Sequence, residues 1–211
     1  SDAFRSNLST RATGSNMGFA DSLEVFSIYG QVSSSSGFSR ERSRILIKFP
    51  VTGSTGIKAD RDAGLIPASG NVNFYLNMYN AVTPNTLPRD FTLNFYALDQ
   101  AWNEGDGLDM DRYSDSTKDI RGSNWIQASA STSWASEGGD FHASPTTTVT
   151  MNSGLENIEV DVSEFVEQWI RGASFSNQAQ ATATAKLNYG FGVKLSSEYE
   201  TGEKSYYTKK F

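Results

Sequence analysis

The chain of 211 residues contains no cysteine. That excludes disulfides, thiolate nucleophiles and cysteine metal sites. Histidine is almost as scarce: His142 is the only one, so neither a Cys–His dyad nor a zinc site built on several imidazoles can form. A Ser–His–Asp triad would have to use His142, in D-F-H-A-S-P, and no G-x-S-x-G turn accompanies it. Positive charge is in deficit, with 18 Lys and Arg against 24 Asp and Glu and a net charge of -6. A surface of that sign suits phosphate backbones poorly, so no nucleic-acid partner is expected. No apolar run approaches membrane-spanning length, so no membrane insertion is expected either. Neither a P-loop nor a Rossmann turn is present.

What is present is β-type patterning organised around residues 159–195. Val160 and Val162 are β-branched, as strands favour. Asp161 or Ser163 can then cap a helix, Asp161 with Glu164 in a capping box. Phe165, Val166, Trp169 and Ile170 share one apolar face, and Gly172 is a natural C′ residue. A helix this short needs a partner to cover that face. Further on, Tyr189, Phe191, Val193 and Leu195 alternate with Gly190, Gly192 and Lys194.

Other strands are expected over 23–29, 43–49, 71–79, 91–97, 146–151 and 206–211. In the third of these, Val72, Phe74, Leu76 and Met78 alternate with polar and aromatic residues. Short strands separated by turn signals indicate an all-β chain, a β-sandwich or jelly roll with one short α-helix packed against it. The predicted core contains Phe74, Leu76, Phe91, Phe95, Phe165, Trp169 and Phe191, and the four tryptophans fit core positions. Residues 1–16 read as a polar arm and 17–211 as the sandwich domain. The low-complexity run 174–186 reads as an inserted loop. Both the arm and this loop hold few apolar residues, so they are expected to gain order from neighbouring copies or other proteins, with Phe4, Leu8 or Phe175 as anchors. In the last strand, Lys209 and Lys210 are expected to discourage uncontrolled edge pairing.

Three groups of residues could carry chemistry. The loop N-E-G-D-G-L-D-M-D-R-Y-S-D concentrates Glu104, Asp106, Asp109, Asp111 and Asp115. It is either a solvated acidic loop or a Ca²⁺ site in which oxygen ligands relieve their mutual repulsion. Glu104 and Asp140 could form a glycosidase pair, or serve the fold alone. Tyr75, Tyr79, Tyr96 and Tyr113 occupy outward or loop positions, where ring faces stack on sugars or anchor protein interfaces. With no nucleophile–base arrangement in view, no hydrolase activity is expected.

Several motifs, in order, resemble the DNRLRE-type jelly-roll domain, a module related to carbohydrate-binding modules. They are N-x-G at 16–18, R-S-R-I-L-I-K-F-P at 42–50, A-W-N-E-G at 101–105 and W-A-S-E-G-G-D at 134–140. D-V-S-E-F-V-E-Q-W-I-R-G at 161–172, N-Y-G-F-G-V-K-L at 188–195 and the final S-Y-Y-T-K-K-F complete the series. A narrower set also resembles virion structural proteins of marine tailed phages: F-S-I-Y-G, S-R-I-L-I-K-F-P, G-L-D-M-D, G-G-D-F-H-A-S-P and S-Y-Y-T-K-K-F. In that group the chain continues beyond the last motif, which implies further chain after Phe211. The resemblance implies a non-enzymatic domain of a virion, in a capsid decoration, tail or fibre. Its partners would be other virion proteins, copies of itself or a host-surface glycan. The alternative it implies is an extracellular carbohydrate-binding module of a secreted bacterial polysaccharide-degrading protein.

Overall fold

Alternation between apolar and polar residues places one face of most strands in a shared interior. The structure, a computed structural model, describes residues 2–5, 13–34, 37–83, 87–109, 121–203 and 206–211. The early elements are β1 (Asp2–Arg5), β2 (Glu24–Ser34), β3 (Gly37–Ile47), α1 (Ile57–Asp62), β4 (Tyr75–Met78) and β5 (Phe91–Leu98). Then come β6 (Gln127–Ser129), β7 (Thr132–Ser133), β8 (Phe141–Met151), β9 (Ile158–Asp161), α2 (Ser163–Arg171), β10 (Phe191–Leu195), α3 (Ser197–Thr201) and β11 (Tyr206–Lys210). The protein is mainly β. Six strands run in the antiparallel order β11-β2-β3-β10-β5-β8 and curl into a half-barrel, with β1 added beside β3. Two small sheets, β4-β9 and β6-β7, complete the strands. No helix among the described residues is long and apolar enough to cross a membrane.

The main core lies on the inner face of the large sheet. Phe91, Leu93, Phe95 and Ala97 of β5 meet Phe191, Val193 and Leu195 of β10, and all seven are buried. The small β4-β9 sheet contributes Leu76, Met78, Ile158 and Val160 to the same core, with Tyr75, Asn77, Glu159 and Asp161 turned to solvent. Helix α2 adds Phe165, Val166 and Trp169, as its spacing predicts. The Trp169 and Phe165 rings stand 4.8 Å and 5.2 Å from that of Phe191. Glu167 is buried too, because it accepts two hydrogen bonds from Arg61 of α1 at 2.7 and 2.8 Å. Phe74 is partly buried against this core.

The ends of α2 differ from the sequence reading. The N-cap is Val162, and the Asp161–Glu164 capping box does not form. Asp161 Oδ1 instead accepts the Ser163 N–H at 2.9 Å, while Ser163 Oγ accepts the Phe74 N–H at 2.8 Å. That hydroxyl takes the place of a ladder partner at Phe74, and β4 spans 75–78 rather than 71–79. Gly172 has φ -85°, not a left-handed value. Glycine is required there by close approach: a Cβ would lie 2.1 Å from the Lys186 carbonyl oxygen.

The described residues of both segments expected to depend on other chains are held by their own domain. Residues 2–5 pair with β3 in the register Asp2↔Ile45 to Arg5↔Arg42. Ser15 and Asn16 are fully buried, and the Trp125 N–H donates to the Thr13 carbonyl at 3.1 Å. The loop 174–186 closes on buried Lys186, whose ammonium donates to Gln168 Oε1 at 2.5 Å and to the Thr182 and Ala183 carbonyls at 3.2 Å. Arg171 Nε donates to the Thr184 carbonyl at 2.6 Å. Hydrogen bonding, rather than apolar content, orders this loop.

The final strand also differs in part. Lys210 is exposed, but Lys209 is fully buried, so it cannot guard the edge from solvent. The edge of β11 is met by the chain just past β4, where the Ala81 N–H donates to the Lys210 carbonyl at 3.0 Å.

Candidate functional site

The outer face of the large sheet carries the side chains that the core does not use. On β5 these are Thr92, Asn94 and Tyr96; on β10 they are Gly192 and Lys194. Register sets Lys194 opposite Asn94 and Gly192 opposite Tyr96. Gly192 matters because of what covers it. A Cβ there would lie 2.1 Å from Cε1 of Phe141, so only glycine lets this ring lie on the strand. Tyr96 and Phe141 then form a tilted pair with centroids 5.6 Å apart. The Lys194 ammonium sits 4.8 Å from the Tyr96 ring and 5.0 Å from the Phe141 ring, within cation–π range.

These groups floor an open groove of about 700 Å³. Its walls come from Asp99, Gln100, His142 and the turn holding Ser136, Glu137 and Asp140. Arg44 forms the inner end. Its guanidinium donates to Glu200 Oε1 and Oε2 at 2.7 and 2.8 Å and to the Gly138 carbonyl at 2.9 Å. It also stacks on Trp125 at 4.7 Å. Burial pushes the Lys194 ammonium below its ordinary value, with Arg44 adding to the shift and Glu200 opposing it. His142 Nε2 lies 3.2 Å from Asp99 Oδ1 and also meets the Gln178 amide. Burial pushes this imidazole down, against the opposing pull of Asp99. It is therefore mostly neutral at pH 7.

Asp99 and Gln100 also border a second recess of about 450 Å³, lined by Trp102, Ser129, Thr132, Gln178 and Tyr189 among others. The two recesses share Asp99 and Gln100 and between them present ring faces and hydrogen-bonding groups. Such a surface suits a polyhydroxylated or mixed-charge ligand lying along it.

Glu104 and Asp140 line different recesses. Asp140 accepts the Ala135 and Ser136 N–H groups, both at 2.7 Å, and so fixes its own turn. Glu104 opens onto a different recess, with Lys48, Phe49, Pro50 and Trp102.

The described carboxylates of the acidic loop likewise point to separate partners. Asp106 pairs with Arg121 at 2.5 Å, and Glu104 is exposed. Asp109 is buried, and its Oδ2 accepts the Asn16 N–H at 2.9 Å. Asp111 and Asp115 lie outside the described residues, and among the described ones no group of three or more carboxylates and imidazoles could hold a metal ion. The loop is organised by an amide. Asn16 Nδ2 donates to the Glu104 and Ser123 carbonyls at 2.8 and 2.7 Å, and its Oδ1 accepts from Gly18 and Gly107 at 2.9 and 3.0 Å. Asn16→Ala would strand four buried or half-buried backbone groups. We expect it to lower stability by about 2 kcal/mol, measured by urea unfolding, because water can satisfy only some of them. An unchanged midpoint would show that the loop does not depend on this amide.

Of the four candidate tyrosines, Tyr96 is in the groove. Tyr75 and Tyr79 are exposed at the β4 end of the small sheet, and Tyr113 lies outside the described residues. Of the proposed anchors, Phe4 belongs to β1 opposite Ser43, Phe175 is partly buried, and Leu8 lies outside the described residues. Sequence reasoning missed Phe141, Asp99 and Arg44. The alternation of Gly192 and Lys194 against Phe191 and Val193 was the one signal pointing to this face. Comparison with known proteins yields no match to a protein-family model, to a curated protein or to a solved structure.

Proposed function

We propose that this chain is a non-enzymatic β-sandwich module of jelly-roll type in a virion structural protein. The groove beside Tyr96, Phe141 and Lys194 is its contact surface for a host-surface glycan or a neighbouring subunit. The sandwich reading is supported by the β4-β9 sheet and α2, whose apolar residues share one core with the inner face of the large sheet. One observation carries the non-enzymatic reading: the carboxylates with candidate catalytic roles are tied into turns or separate recesses, as Asp140 is to Ala135 and Ser136. What remains is a broad track suited to binding. The ring pair favours a second reading, a carbohydrate-binding module of a secreted polysaccharide-degrading protein.

Mass spectrometry of gradient-purified particles should detect the chain. Its absence from particles, with recovery in culture fluid, would reject the virion reading. Glycan-array screening tests the groove in both cases. Tyr96→Ala should weaken any glycan retained by the array by about three- to tenfold, the stacking contribution of one ring. Undiminished binding by a folded Tyr96→Ala variant would exclude the groove as the glycan site.

A further inference from the structure

The groove makes no use of the most unusual cation in the fold. Lys209 lies on β11 with no exposed surface. Its Nζ reaches Asn80 Oδ1 at 2.5 Å and the Gly154 carbonyl at 3.2 Å, and sits 4.9 Å from the Phe211 ring. A buried ammonium normally requires a paired carboxylate. Here it meets a carboxamide, a carbonyl and a ring.

Three elements converge at this point. Strand β11 supplies the amine. Asn80, just past β4, is held by its own N–H donating to Asn157 Oδ1 at 2.8 Å. The turn before β9 supplies Glu156, whose Oε1 accepts the Ser153 N–H at 2.5 Å and whose Oε2 is buried with no hydrogen-bond partner. Burial pushes the Lys209 ammonium below its ordinary value, against the opposing pull of Glu156, which enlarges the fraction present as a neutral amine. Burial pushes the Glu156 carboxyl up, but the backbone N–H groups of Ser153 and of Glu156 itself outweigh it, so the group is ionised at neutral pH and can take a proton.

We propose that Lys209 and Asn80 form an intramolecular isopeptide cross-link, with Glu156 as proton carrier. The Lys209 Nζ lone pair attacks Asn80 Cγ, one bond beyond the oxygen it already touches. The Nζ–Cγ bond forms and the Cγ–Nδ2 bond breaks. Glu156 accepts a proton from Nζ, directly after a side-chain rotation or through one water, and returns it to Nδ2. The former amide nitrogen leaves as ammonia. Amine and carboxamide become a secondary amide plus ammonia, so the step balances with no oxidant, reductant or further reactant. The product removes the buried charge. It also closes a covalent loop between positions 129 apart in sequence and fastens β11 to the chain beside it.

A comparison within the protein sharpens the claim. Lys186 also meets a carboxamide, that of Gln168 at 2.5 Å, but two further carbonyls complete its three donors. Glu164, nearby, has Oε1 occupied by Gln168 and Arg171. Lys186 therefore lacks the excess donor, and it should stay unlinked.

The test is intact-mass spectrometry of the purified full chain, followed by peptide mapping. The expected result is a loss of about 17 Da, one ammonia, with a branched peptide joining the segments that contain Asn80 and Lys209. Peptides containing Lys186 should remain linear. Asn80→Ala and Lys209→Arg should each abolish the loss, and Glu156→Gln should abolish or greatly slow it. Full mass in folded wild-type protein would overturn the proposal, as would an ammonia loss mapped elsewhere. Complete linkage in Glu156→Gln would remove Glu156 from it. The result is independent of whether the protein belongs to a virion.

Discussion

Glu200→Ala is expected to lower stability by about 3–5 kcal/mol, the usual consequence of removing one partner from a buried ion pair. The side chains of Arg44 and Glu200 are 10% and 7% exposed, and two hydrogen bonds join them. Without the carboxylate, the guanidinium would remain between Trp125 and Phe141 with the Gly138 carbonyl as its remaining partner there. It would also face the Lys194 ammonium without compensation. The double replacement Arg44→Met with Glu200→Leu should recover most of the loss, because no buried charge is left behind. Urea unfolding of the three proteins measures both effects. A loss below about 1 kcal/mol for Glu200→Ala would mean that water reaches the pair and that it behaves as a surface salt bridge.

Trp169→Ala should cost about 3–5 kcal/mol, through lost burial and the cavity left behind. Trp169 is fully buried and forms an edge-on contact with Phe191, which also touches Phe165. One deletion therefore loosens the helix and the centre of β10 together. Trp169→Phe should cost clearly less, since it keeps a ring against Phe191. Equal losses for the two variants would argue that the ring contact with Phe191 does not set the effect. Guanidinium unfolding followed by circular dichroism separates these outcomes.

Periodicity carried the interior and little else. Phe91, Leu93 and Phe95 fall at period two and Phe165, Val166 and Trp169 at helical spacing, and each set is buried where its pattern places it. The pattern misleads where backbone geometry changes. Tyr189 follows the alternation of Phe191 and Val193, yet it packs in the outer cluster with Trp102 and Trp134. Gly190 between them has φ +92°, which turns the chain over. Polar interior residues were the hardest to read. Asn16, Glu200 and Lys209 have the composition of surface residues, and their burial follows from partners 107, 156 and 129 positions away. No local window contains that information. The groove suffered likewise, because Tyr96, Phe141 and Lys194 meet only once three strands are in register.

The order of the large sheet sets the order in which the protein can mature. Strand β2 pairs with β11, and the bond between Thr208 and Glu24 spans 184 positions. During synthesis, β2 emerges long before its outer neighbour exists. Asn16 must wait in the same way for Ser123, 107 positions later. Pairings this distant must overcome chain-closure entropy before they contribute stability, so folding should be slow. Until β11 docks, one margin of the sheet is open to other nascent chains. Docking of β11 on β2 thus ends this vulnerable interval.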